Sequence, residues 1–213
     1  MADLRIRTVT TADIDDLVRI HNQAWQETYG GTIPQDHLDM GANIDDRLAF
    51  WQDAITEADA TKRARIRMGF IDGEPAGFVF ARPTPDEESP RDVELRVLYT
   101  LKIAHGTGLG RMLADAVLEQ DAAWLWMLEG NDRAEAFYKK LGFRRDGEPI
   151  FRSWPDGHRD LRLVRDAQPA LESDTASEAQ PTASAVAEAE ATVKAAEAEL
   201  ATSTDTRELH CCS

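Results

Sequence analysis

Cysteine is nearly absent. The 213 residues hold two, Cys211 and Cys212, side by side at the C-terminal end. They cannot frame a core with disulfides, and no His/Cys spacing for a metal site occurs along the chain, so no metal is expected. Long apolar runs are also missing, and Met1-Ala-Asp-Leu-Arg5 leads into no leader-type segment. Neither a membrane span nor a secretory leader is expected. His210-Cys-Cys-Ser213 places no cysteine fourth from the end, which excludes C-a-a-X lipidation. These absences predict a cytoplasmic protein with no membrane partner. Positive charge is scarce, with 24 Lys and Arg against 39 Asp and Glu and a net charge of −15. A polyphosphate backbone would be repelled, so no nucleic acid partner is expected. A cationic small substrate is compatible with that balance; solubility is the plainer reason for it.

What is present divides in two. Residues 166–213 hold ten acidic and two basic residues, no aromatics, and long Ala/Glu/Ser/Thr stretches. They bury too little apolar surface to offset their ordering entropy, so a disordered or partly helical tail is expected, with helix propensity over residues 183–200. A single domain over residues 1–165 precedes it, with 29 acidic and 22 basic residues. Leu4 to Val9 alternates and predicts a strand. Thr11 is a candidate N-cap, with Asp13, Asp15 and Asp16 in the first turn of a helix carrying Ile14, Leu17, Val18, His21, Trp25 and Thr28 on one stripe. Gly30-Gly31 and Pro34 end it. Short and long helices follow over 36–40 and 44–58. Residues 63–82 read as a hairpin turning at Asp72-Gly73. A strand over Val93–Thr100, a helix from Leu109, a buried strand over Ala123–Leu128 and a helix over 131–141 closed by Gly142 come next. Two last strands are expected at 143–145 and 160–165, with a turn at 153–157.

The chemistry centres on the strand–glycine–helix passage over residues 93–117. Gly106, Gly108 and Gly110 lie just ahead of or within the first turn of the helix, and free N–H groups at a helix N-terminus bind anions, phosphate above all. A dinucleotide fingerprint would need glycine at Arg111 or Leu113, and a P-loop would need Gly-Lys-Ser/Thr; neither is present.

A third pattern fits. His105-Gly-Thr-Gly-Leu-Gly110 resembles the acetyl-CoA pyrophosphate loop of the GNAT superfamily of N-acetyltransferases, and Leu95–Leu101 resembles the family strand that takes the pantetheine arm. Leu125–Asn131 with Ala134, Phe137, Tyr138 and Leu141-Gly142-Phe143 resembles its second CoA motif. The resemblance spans residues 4–165. It implies an α/β (α+β) fold with a mixed, largely antiparallel sheet flanked by helices, and an acetyltransferase acting on a primary amine by direct attack in a ternary complex. Two positions depart from the family: His105 stands where Gln or Arg is usual, and Trp126 stands where ribosomal-protein acetyltransferases carry a catalytic Glu. Trp25-x₃-Tyr29-Gly-Gly-x-x-Pro34 resembles a bacterial branch whose acceptors are mostly unassigned.

Residue by residue, the resemblance implies that N–H groups among Thr107, Gly108, Leu109, Gly110, Arg111 and Met112 hold pyrophosphate, with Arg111 as charge partner and His105 at the loop entry. Backbone groups of Tyr99, Thr100 and Leu101 would pair with pantetheine. Asn131 would contact the CoA arm, or cap its helix. Tyr138 would be the general acid, since a phenol of pKa about 10 can protonate a thiolate whose acid has pKa about 8.5; packing beside Phe137 is the alternative. Glu94 is a candidate base or a solvated strand-end residue, with Glu129 the weaker carboxylate. Trp25 and Tyr29 would line the acceptor cleft or pack in the core, His21 reads as a packed histidine, and Trp154 and His158 would cap the cleft or be exposed. The acceptor would be a small-molecule amine or a peptide N-terminus or lysine, the protein a monomer or homodimer. The other reading is a catalytically silent CoA-binding regulatory or interaction module.

Overall fold

The computed structural model describes residues 2–41, 43–61, 64–84, 89–147, 151–153, 157 and 159–168, all within one unit, Met1–Ala170. The expected helix over 183–200, the paired cysteines, Trp154 and His158 lie outside the described residues.

One sheet carries the fold. Its strands are β1 (Leu4–Thr8), β2 (Arg65–Ile71), β3 (Glu74–Pro83), β4 (Val93–Thr100), β5 (Ala123–Leu128), β6 (Arg144–Arg145), β7 (Phe151–Ser153) and β8 (Arg159–Arg165). They run in the order β1-β2-β3-β4-β5-β8-β6, with β7 also on β8. Every pairing is antiparallel except β4–β5. β3 is apolar on both sides because both faces are covered. Val79 and Ala81 join a core with Leu109, Leu113 and Val117 of helix α4 (Leu109–Leu118). Phe78 and Phe80 join a second core with Leu17 and Ile20 of α1 (Ile14–Tyr29) and Trp51 and Ile55 of α3 (Ile44–Thr61). The fold is thus a mixed, mostly antiparallel sheet with helices on both faces. Among the described residues no helix is long and apolar enough to cross a membrane.

Local chemistry sets the ends of these elements. Asp72 (φ 52°) and Gly73 (φ 88°) make the left-handed pair that a two-residue hairpin requires. The first helical turn begins one residue earlier than expected, because Thr10 rather than Thr11 is the cap. The Asp13 carboxylate accepts from the Thr10 N–H (2.8 Å) and hydroxyl (3.0 Å), and from Arg7 at 2.6 and 2.8 Å. The Arg7 guanidinium holds the Asp13 carboxyl well below the usual carboxylate range. Arg165, buried at the end of β8, donates to the carbonyls of Glu119 (2.9 Å) and Asp121 (3.0 Å) and so closes the end of α4. Contacts continue past residue 165. Asp166 pairs with Arg144 at 3.0 Å, and the Gln168 N–H donates to Gln120 at 2.9 Å.

Two irregularities position the site. The β3–β4 register runs Phe80↔Val97 and then Ala81↔Leu95, so Arg96 is an extra, bulged residue. The bulge turns Val97 and Tyr99 toward the α1/α3 face, while Leu95 and Leu98 face α4. The parallel pair β4–β5 holds only at Val93↔Ala123 and Glu94↔Trp124. Beyond Glu94 the two strands part.

Candidate active site

The parting strands open a cleft of about 950 Å³. One end is the glycine loop and the start of α4. The other is built from α1, α3 and the aromatic residues they carry. Helix α5 (Asp132–Lys140) forms one wall between them. Helix α2 (Gln35–Gly41) contributes Leu38, which packs with Ile33 on Leu128 at the end of β5 and holds Trp25 and Tyr29 against it.

The glycine loop is braced from within. The Thr107 hydroxyl donates to the Ala104 carbonyl (2.8 Å) and accepts from the Leu109 N–H (3.2 Å). The Thr107 N–H itself goes to Ala104, and that of Met112 to Gly108. Three of the six N–H groups expected to hold phosphate are therefore engaged. Those of Gly108, Gly110 and Arg111 meet no acceptor among the described residues. Gly108 takes φ +98°, which an L side chain rarely adopts. On the lead-in, the Lys102 N–H donates to Glu27 of α1 at 2.7 Å, tying the loop to the other end of the cleft. Arg111 is bonded to Asp115 one turn on, at 2.7 Å. His105 contacts Arg133 through Nδ1, and burial, then that guanidinium, lowers its pKa.

The chain has three tyrosines, and all three line this cleft. Tyr29 closes α1, with its ring 4.6 Å from that of Trp25. Its phenol lies close enough to Tyr99, Asn131 and Asp160 to interact with each of them. Burial pushes its phenol up, and that of Tyr99 further. Tyr138 is partly exposed, its ring 5.3 Å from Phe137 and 5.7 Å from Phe143, and burial followed by the nearby Tyr29 pushes its phenol well above the ordinary value. Asn131 is the N-cap of α5, its side chain accepting from the Ala134 N–H at 3.1 Å, and it also lies beside Tyr29 in the cleft lining.

Glu94 is buried in the cleft wall rather than solvated. Its oxygens accept from Arg82 at 2.8 Å and from the bulged Arg96 at 3.3 Å. Both of its oxygens are thus engaged by guanidiniums. Glu129 is outside the cleft lining and paired with Arg159 at 2.7 Å. His21 is buried between α1, α3 and β4, with its Nε2 against the Arg47 guanidinium. Burial, reinforced by Arg47, lowers its pKa to about 2, so the ring is neutral.

Of the residues expected at the cofactor, Tyr99, Thr100, His105, Gly108, Gly110, Arg111, Asn131 and Tyr138 line the cleft, as do Glu94, Trp25 and Tyr29. Leu101, Thr107, Leu109 and Met112 do not. The Leu101 N–H is bonded to the Ala76 carbonyl at 2.9 Å. Leu109 points into the core, where the absent side chain of Gly69 makes room for it. Sequence reasoning did not reach Arg47, Arg96 and Asp160 as parts of the site. Asp160 carried one signal, the single carboxylate in a final strand whose other charged residues are all arginines. The bulge that exposes Arg96 left none.

Comparison with known proteins follows the same lines. The acetyltransferase (GNAT) family matches residues 16–143. An uncharacterized N-acetyltransferase of Mycobacterium tuberculosis is 39% identical over 160 residues, covering 72% of this chain and 97% of the relative. One of Lactobacillus delbrueckii subsp. lactis is 25% identical over 175 residues, 78% of this chain and 98% of the relative. Among solved structures, a PaiA N-acetyltransferase from Thermoplasma acidophilum in complex with coenzyme A superposes with TM-score 0.62 at 16% identity, covering 77% of this chain and 99% of that one. A ribosomal-protein-alanine N-acetyltransferase from Brucella melitensis does so with TM-score 0.57 at 19% identity, covering 76% and 99%. At these identities the structures share the fold.

Proposed function

Because the chain belongs to the acetyltransferase (GNAT) family, we propose that it transfers an acetyl group from acetyl-CoA to a primary amine by direct attack in a ternary complex. The observation that carries this reading is the parting of β4 and β5. It leaves one edge of β4 without a strand partner beyond Glu94 and opens a cleft running from free helix N–H groups to a tyrosine cluster. Backbone at Tyr99 and Thr100 would take pantetheine as an added strand does. The N–H groups of Gly108, Gly110 and Arg111 would take the pyrophosphate, where the helix dipole favours anions. His105 and Arg133 stand near that end of the cleft.

The transfer is balanced as follows. The amine nitrogen bonds to the acetyl carbon, the carbon–sulfur bond breaks, and the sulfur leaves with the bonding pair. The nitrogen loses one proton and the sulfur gains one. Tyr138 is the proposed donor, since burial keeps its phenol protonated over the working range. The same burial disfavours the leaving thiolate, so neither partner is comfortable as the anion and the proton is shared late. Glu94, held by Arg82 and Arg96, acts as the anchor of the β4 bulge, and the nitrogen proton leaves through water. Residues 1–168 carry the activity in this reading.

Replacing Tyr138 with Phe is expected to lower kcat by about 100-fold with acetyl-CoA affinity unchanged. A Tyr138→Phe enzyme with full turnover across pH would remove Tyr138 as the acid.

A further inference from the structure

We infer that the acceptor carries a carboxylate beside its amine, as a free amino acid does, and that Arg96 is the residue that takes it; this rests on the acetyl-transfer reading of the same cleft. The β4 bulge supplies the placement. Side chains alternate along a strand, so with Leu95 on the α4 side Glu94 and Arg96 lie on the opposite one, and the bulge keeps Val97 there too. The contact between Arg96 and Glu94 agrees with a shared side. That side is the one α1 and α3 cover, and Arg96 opens onto the cleft with 38% of its side chain exposed. It stands two residues beyond Glu94, where β4 and β5 part, and three before Tyr99.

The bulge holds one guanidinium more than its carboxylate can match. Glu94 is buried and needs a partner, and it has one in Arg82, directly opposite it in the β3–β4 register and donating through Nε at 2.8 Å. Arg96 adds a second guanidinium to the same carboxylate through Nη1 alone, at 3.3 Å. One positive charge is left over, and Nε and Nη2 of Arg96 meet no acceptor among the described residues. A guanidinium edge of this kind takes a carboxylate through two parallel N–H···O bonds. A single surplus charge suits one carboxylate better than a phosphate ester, which brings about −1.5 to −2. Arg47, on the same side, is engaged with Nε2 of His21 and lies over the Trp25 ring. The other two carboxylates of the lining stand on other elements: Asp160, itself engaged, on β8, and Asp46, exposed, in the first turn of α3. A polyamine or an aminoglycoside brings no anion for Arg96 and sets an ammonium against it, and like-charge contacts of that kind exclude partners.

The test uses the full chain and two readouts. Thiol release from acetyl-CoA is measured with the free α-amino acids, each beside its own amide, and with spermidine. The amide keeps the side chain and the amine and lacks only the anion. Acids that turn over are expected to exceed their amides and spermidine in kcat/KM by about 100-fold. Arg96→Gln should raise KM for the acid about 30-fold and collapse the acid-to-amide ratio with acetyl-CoA affinity unchanged, and Arg96→Lys, which keeps the charge and loses the fork, should recover part of the loss. Amides or spermidine acetylated as well as the acids overturn the proposal, and so does a ratio that Arg96→Gln leaves in place. The wild-type acid-to-amide comparison needs no variant and decides the case should Arg96→Gln fail to fold. Calorimetry of the CoA-saturated protein with the same acids separates the two readings. Acids that bind the wild type and not Arg96→Gln, yet release no thiol, uphold the anion site and overturn the acetyl-transfer reading instead. Failure of every acid both to bind and to turn over overturns the proposal, whatever other amine is acetylated.

Discussion

His21 gives a prediction about pH that is independent of any ligand. Its ring is buried, with Tyr99 at 5.2 Å, Phe78 at 5.4 Å and Trp51 at 5.8 Å. Arg47 donates to Nε2, so the ring proton sits on Nδ1, where no acceptor meets it. A second proton would place an imidazolium against a guanidinium among aromatic rings, and the pKa is lowered to about 2. In the unfolded chain the same histidine titrates near 6.5. Below that value the unfolded state binds a proton that the folded state refuses, so stability falls as pH falls toward the folded-state value. Between about pH 7 and pH 5 the loss is about 2 kcal/mol, a large share of the 5–15 kcal/mol typical of a domain. Urea unfolding of the wild type and a His21→Gln variant at several pH values in that range checks it. Glutamine keeps an acceptor for Arg47 and does not titrate. The wild type should lose about 2 kcal/mol more than the variant over the interval, with contributions from all other groups cancelling. Parallel pH profiles would refute the claim that His21 is held neutral.

Other perturbations separate the site from its support. A Cβ on Gly110 would meet Phe137 at 3.5 Å, an ordinary contact, so Gly110→Ala should leave unfolding unchanged or slightly stabilised while weakening acetyl-CoA about 10-fold by crowding the helix N-terminus. Calorimetry with a thermal melt reads both. A Cβ on Gly77 would lie 2.9 Å from the Tyr99 carbonyl and 3.3 Å from the Thr100 Cα, backbone that cannot give way. Gly77→Ala should therefore cost about 1–3 kcal/mol in a urea melt and lower acetyl-CoA affinity as well. Arg165→Met leaves the carbonyls of Glu119 and Asp121 without their guanidinium donor at the end of α4. A loss of about 3 kcal/mol is expected, and a loss under about 1 kcal/mol would contradict the capping role.

The sequence made the helices and the central strands legible because their signals are local. Val93–Thr100 and Ala123–Leu128 fall where alternation and apolar run-length put them. Asn131 and Gly142 mark the ends of α5 by cap chemistry alone. The first cap slipped from Thr11 to Thr10 because the deciding contact is with Arg7, on the preceding strand. What stayed illegible depends on neighbours distant in the chain. The bulge at Arg96 is a register event between β3 and β4. The fate of Glu94 was set by Arg82 across that register, and the inward turn of Leu109 by the missing side chain of Gly69. Tyr29, Tyr99 and Tyr138 are far apart in sequence, and only the parting of β4 and β5 brings them around one space. The three-residue strand β7 carried too few residues for any periodicity to show.

The most direct measurement is amide NMR of the full chain titrated with acetyl-CoA. The N–H groups of Gly108, Gly110 and Arg111 should shift together and saturably, with those of Tyr99 and Thr100, because these groups are the proposed contacts of pyrophosphate and pantetheine. The amide of Gly73, in the hairpin turn between β2 and β3, should stay in place. Saturable binding that leaves the Gly108–Arg111 amides unmoved, or no binding at all, would contradict the account.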